Sequence, residues 1–226
     1  MRKRHVASPQ LVAGALLIGG AILVVVGAAL PDARVFTSPD QRVRWEAIAA
    51  RQWGWTAQAV MFPTAFAVVA AGLVAATRMG GLRGHPARRL TEASAVLGVA
   101  AAALWVPISI ERLNEGAMVN ALLARQATDA STATSPTFWP YTVCAVAASG
   151  SLAAALAWSG ILRRLGAAIT VVAGGAFVAM ALLRDWPPFA TYVIMLPLGV
   201  GLVAQRPRHA QHAGTQTHHP SAAGSF

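Results

Sequence analysis

Residues 11–30 read LVAGALLIGGAILVVVGAAL, twenty apolar or small residues without a charge among them. A hydrocarbon core of roughly 30 Å takes about 20 helical residues to cross, so this stretch is long enough to span a bilayer. Lipid offers no partner for peptide N–H and C=O groups, and a helix satisfies them within its own segment. Arg2, Lys3, Arg4 and His5 precede the run and Pro31 follows it. Basic residues before an apolar run also mark a secretory leader, but this run exceeds the roughly 7–15 residues of a leader's apolar region. Gly27, Ala28 and Ala29 make a poor cleavage signal. The stretch is expected to remain as a first membrane helix.

Five further runs of the same kind follow, at residues 54–77, 93–110, 141–162, 166–183 and 187–204. Residues 1–204 thus read as one all-α bundle of six transmembrane helices, and 205–226 as a polar, disordered tail. The composition agrees, with 56% hydrophobic and 12% charged residues and a mean hydropathy of +0.53. Only one lysine occurs among the cations, and alanine dominates the apolar set, which suggests a GC-rich bacterial genome.

The net charge of +10 would suit a nucleic-acid partner if it were gathered on a soluble surface. Here it is sorted by side of the membrane. Eleven cations (residues 2–4, 78, 83, 88, 89, 163, 164, 206 and 208) and the single acid Glu92 fall on one side. The other side carries seven arginines and seven acids. Translocated loops are poor in Lys and Arg, so the first side is expected to be the cytoplasm and both termini to lie there. The implied location is a bacterial inner membrane, with lipid as the main partner and no nucleic acid. Trp45, Trp53, Trp55, Trp105, Trp139 and Trp186 sit near the outer boundary and Trp158 near the inner one, as an interfacial aromatic belt would.

The outer segments hold further organisation. Ser38-Pro39-Asp40-Gln41 carries helix-start signals, with Ser at the cap and Pro at the first position, and predicts a short amphipathic outer helix running to Arg51. After the third span, Ile110, Leu113, Ala117 and Ala121 recur at helical spacing and predict that this helix continues outside. Residues 127–137, rich in Ala, Ser and Thr, read as a return loop.

Several chemistries are disfavoured. Cys144 has no partner, so dithiol redox chemistry is out. All six histidines fall outside the spans, which argues against a b-type haem or a buried metal, and no cofactor is expected. The tail histidines have spacings that could hold Zn²⁺ or Ni²⁺, though a solvated linker is the simpler reading. No span contains an ionisable side chain of the kind that coupled pumps and transporters keep at membrane depth. The few polar groups in the spans, Thr64, Ser94, Ser109, Thr142, Thr170, Thr191 and Tyr192, read as hydrogen bonds to the preceding turn or between helices. Gln58 stands apart. Its depth, close to that of Trp55, Trp105 and Glu111, suggests a small outward-facing polar pocket formed by Arg51, Trp55, Gln58, Trp105, Glu111 and Arg112.

Leu165-Gly166 opens the fifth span, Asp185-Trp186-Pro187-Pro188-Phe189 leads into the sixth, and Leu198-Gly199 lies near its end. With these features the last third of the chain resembles a group of uncharacterised bacterial six-span membrane proteins. That resemblance implies the six-span plan and carries over no functional residue. Two functions fit the sequence: a non-enzymatic membrane component such as a subunit, scaffold or regulator, with a protein partner or a second copy, or a carrier or binder of an apolar, lipid-like small molecule.

Overall fold

A computed structural model describes residues 8–82, 86–125, 135–183 and 190–205. The described residues are helical, with eight α-helices and no strand. They are α1 (Pro9–Ala29), α2 (Arg34–Thr37), α3 (Gln41–Ala50), α4 (Gln52–Ala76), α5 (Pro86–Ala124), α6 (Phe138–Trp158), α7 (Arg163–Leu183) and α8 (Ala190–Ala204). The expectations for the N-terminal cations, the loop up to residue 134, the approach to the sixth span and the tail beyond Gln205 fall outside the described residues.

Five helices, α1, α4, α5, α6 and α7, are long and apolar enough to cross a membrane. Their outward faces carry Ile22, Val96, Val171, Val178 and Leu182, all more than half exposed. An exterior this apolar suits lipid contact. The fifteen residues of α8 are equally apolar but reach only about 22 Å at 1.5 Å per residue.

The long helices pack mainly against their sequence neighbours. α1 lies on α4, α4 on α5, α5 on α6 and α6 on α7, while α8 returns to α1 and touches α6 and α7 more lightly. Small residues set the closest crossings, because dispersion between helices grows as backbones approach. A Cβ on Gly14 would stand 2.8 Å from the Gly199 carbonyl oxygen, and one on Gly199 2.9 Å from the Gly14 oxygen. Gly20 and Gly72 bring α1 onto α4, and Gly166 brings α7 onto the Ala153–Ala157 turn of α6. Gly19, Gly174 and Gly175 have nothing among the described residues within 4 Å of a Cβ, so no helix crosses closely at them there. Gln10 ties the start of α1 to the end of α8 by donating its Nε2 to the Leu202 oxygen at 3.0 Å.

Helix ends follow local chemistry. Ser8 caps α1 and Pro9 takes its first turn, where a missing N–H costs nothing. α6 stops at Trp158, four residues before the expected end, because Gly160 turns the chain at φ +76°. The expected start of the short outer helix moves by two residues. Asp40, not Ser38, is the cap of α3, with its Oδ1 accepting from the Arg42 N–H at 2.8 Å. Ser38 instead accepts from the Asp40 N–H and shapes the turn between α2 and α3.

α5 is a single helix of 39 residues, about 58 Å long. It continues past the third apolar run as expected, but a different stripe faces inward. Ile110, Ala117 and Ala121 are exposed and Leu113 is half-buried. The inward stripe is Trp105, Ser109, Arg112, Gly116 and Val119, which recurs at the same helical spacing and contains an arginine and a glycine.

Candidate functional site

Arg112 is the centre of the site, at the end of the bundle capped by α3. Its guanidinium carbon lies 5.1 Å from the ring centroids of both Trp55 and Trp105 and 6.0 Å from that of Phe62. Each such cation–π contact contributes about 0.5–2 kcal/mol, more where water is excluded. Arg112 Nη1 donates to Gln58 Oε1 at 2.8 Å, and Trp55 Nε1 donates to the Arg112 carbonyl oxygen at 2.8 Å. α4 and α5 are thus joined side chain to side chain and side chain to backbone.

The sequence prepares this contact at Gly116. A Cβ there would come within 2.9 Å of Trp55 Cδ1, so only glycine lets the indole lie flat enough on α5 to reach the Arg112 carbonyl. Gln52, one turn earlier on α4, donates its Nε2 to the Gly116 oxygen at 2.8 Å. From above, Trp45 of α3 donates its Nε1 to Glu115 Oε1 at 3.3 Å. Trp45, Ile48, Trp55 and Val119 form a small apolar cluster under that contact.

Below Arg112 the bundle is closed by rings. Phe66 stacks on Tyr192 with centroids 4.2 Å apart and planes 8° from parallel, and on Tyr141 at 5.5 Å. Trp105 meets Phe66 edge-on at 5.0 Å and lies 4.6 Å from Tyr141. Four helices, α4, α5, α6 and α8, contribute to this plug.

Of the six residues the sequence singles out, the structure brings together four: Trp55, Gln58, Trp105 and Arg112. Arg51 is exposed at the junction of α3 and α4. Glu111 points away from the cluster and accepts from the Ser135 hydroxyl at 3.2 Å. On a helix the step from 111 to 112 turns by about 100°, so two adjacent residues cannot share one face. The sequence reading missed Phe62, Ser109, Glu115 and Gly116, although Ser109 and Gly116 follow from the i+4 spacing once Trp105 is known to face inward. It also placed Trp45, Trp55 and Trp105 in a lipid-facing belt. They are 3%, 3% and 0% exposed, whereas Trp53 and Trp158 are about two-thirds exposed, as belt residues are.

Most polar side chains in the spans are satisfied locally. Thr64, Thr142 and Thr170 donate to the carbonyl four residues back, and Ser94 donates across to the Ala148 oxygen of α6. The Arg112 neighbourhood differs. Gln58 Nε2, Trp105 Nε1 and the Ser109 hydroxyl are buried without a hydrogen-bond partner. The orientation of the Gln58 amide is forced, since a guanidinium has only donors and must face the oxygen. Its NH₂ group is therefore the end left over.

At the opposite end a recess of about 630 Å³ is lined by Pro9, Thr77, Arg78, Leu82, Arg88 and Glu92. Arg88 and Glu92 pair there at 2.8 Å. Among the described residues no three His, Cys, Asp or Glu side chains come together. No family model, curated protein or solved structure matches the chain. The site stands on its own geometry.

Proposed function

We propose that the chain is a six-span integral protein of a bacterial inner membrane, with both termini in the cytoplasm and the α3 end outside. In this reading it is a non-enzymatic membrane component: a subunit, scaffold or regulator. The observation that carries the reading is the aromatic plug of Phe66, Trp105, Tyr141 and Tyr192, which fills the bundle where a carrier would keep a passage. The cation distribution supports the orientation, with Arg78, Arg88, Arg163 and Arg164 at the opposite end from α3. Reporter fusions after residue 226 and within residues 126–134 test it, with cytoplasmic signal expected from the first and external signal from the second. Mass spectrometry after gentle extraction tests the role. A stoichiometric protein partner or a defined homo-oligomer is expected.

The unpaired donors around Arg112 favour a second reading, a binder of a lipid-like small molecule. An enriched lipid or metabolite without any protein partner would replace the first reading with this one.

A further inference from the structure

Around Arg112, donors outnumber acceptors. Only one of the five guanidinium N–H groups has a partner among the described residues, the Gln58 oxygen. Gln58 Nε2, Trp105 Nε1 and Ser109 Oγ are buried and unpaired, and so is Nε of Arg44 on α3. Gln58 and Trp105 are fully buried and Ser109 is 5% exposed. Trp105, Ser109 and Arg112 stand at i, i+4 and i+7 of α5 and so line one face. Gln58 is held against that face by its bond to Arg112.

The charge balance points the same way. Arg44 and Glu115 both lie within electrostatic reach of Arg112, giving two cations and one carboxylate. That carboxylate already accepts from Trp45. Neither arginine forms an ion pair among the described residues. Apart from the Ser109 hydroxyl, the one buried side-chain acceptor left unpaired among the described residues is Gln41 Oε1 of α3. Leaving a buried donor unmet costs about 1–3 kcal/mol, and native proteins carry few. Two on one face of α5 and a third, Gln58, held against that face, next to a cation crowded by rings but with free edges, describe a receptor that lacks its acceptor. A guanidinium edge matches the two oxygens of a carboxylate or phosphate.

We propose that Arg112, Gln58, Trp105 and Ser109 form a binding site for an oxyanion, a carboxylate or phosphate group, admitted from the α3 end where Arg112 is partly exposed. The proposal narrows the small-molecule reading above to an anionic ligand and is equally compatible with a subunit that holds such a ligand permanently. The oxyanion belongs either to a lipid headgroup or to a soluble anion.

The test uses the full chain purified in neutral detergent and stripped of phospholipid. Native mass spectrometry and thermal shift are read against inorganic phosphate, acetate, phosphatidylglycerol and an uncharged diacylglycerol. Saturable binding of at least one anionic probe is expected, weakened roughly tenfold or more in Arg112→Gln. Trp105→Phe keeps the ring but removes the donor, and Ser109→Ala removes the hydroxyl. Each should weaken binding several-fold, and both carry the test if Arg112→Gln does not fold. Binding of phosphate or acetate alone identifies a soluble anion, and binding of phosphatidylglycerol without either identifies a headgroup. No saturable binding of any anion, or equal binding by the variants, overturns the proposal. Diacylglycerol binding without any anion overturns it too, while leaving the lipid-binder reading in place.

Discussion

The glycine seam of α1 with α8 and the arginine cluster of α4 with α5 join helices by opposite means. At the seam, Gly14 and Gly199 remove side chains so that the two backbones meet, and the one side-chain hydrogen bond described between the helices, from Gln10 to the Leu202 oxygen, lies at their ends. At the cluster, long side chains bridge the gap, and the missing side chain of Gly116 seats the Trp55 ring. The seam is defined by volume and tolerates no addition. The cluster is defined by partners and tolerates changes of shape better than loss of a donor or acceptor.

That contrast is open to direct attack. The largest effect is expected from Gly199→Leu, which forces a branched side chain into a space where a Cβ already lies 2.9 Å from the Gly14 oxygen. Overpacking of this kind costs about 3 kcal/mol or more, read as a lower unfolding midpoint in detergent. If Gly199→Leu unfolds like the wild type, the seam is looser than described. Next comes Arg112→Ala, which removes the Gln58 bond and both indole contacts and should cost about 2 kcal/mol. Arg112→Met, which keeps much of the packing, should fall between the wild type and Arg112→Ala; an unfolding midpoint equal to that of Arg112→Ala would assign the cluster's strength to the guanidinium's charge and hydrogen bond alone.

A gain is expected from Gly175→Ala, since nothing stands within 4 Å of its Cβ and helix propensity favours alanine by about 0.5–1 kcal/mol. A loss instead would reveal a helix packed against this face of α7. The smallest effect lies outside both regions. The Arg34 side chain, then the Arg34 N–H, hold the Asp32 carboxyl down from 3.8 to about 2. Because the folded value is depressed, this pair stabilises above pH 3.8 and its contribution fades as the pH falls through about 2. Both groups are solvated, so the gap between wild type and Asp32→Asn is expected to be slight at neutral pH and to close in that acid window. An equal gap at both ends of the window would mean that the pair acts sterically.

The long apolar runs and their helical state were legible from the sequence because hydropathy averages over many residues and survives any local irregularity. The ends of α3 and α6 were not, because a cap depends on which of two adjacent oxygens reaches the N–H, and a stop at Gly160 depends on one dihedral angle. The cluster was half legible. Depth along the chain brought Gln58, Trp55, Trp105 and Arg112 to one level, but depth says nothing of azimuth, so it added Glu111, which faces away. The apolar spacing of Ile110, Leu113, Ala117 and Ala121 foretold that α5 continues but not which face packs: that face contains Arg112 and Gly116, while the apolar-looking one meets the surroundings.

The length of α5 has a mechanical meaning. Its 39 residues run unbroken from the Arg88–Glu92 pair, past Ser94 anchored to α6, to the Gly116–Val119 turn held under α3. A rod of that kind transmits tilt and torque from one end to the other without needing a relay of side chains. Pro107 lacks the N–H that would donate to the Ala103 oxygen, so the ladder misses one rung on the turn that carries Trp105, the place in the rod where a bend costs least backbone bonding.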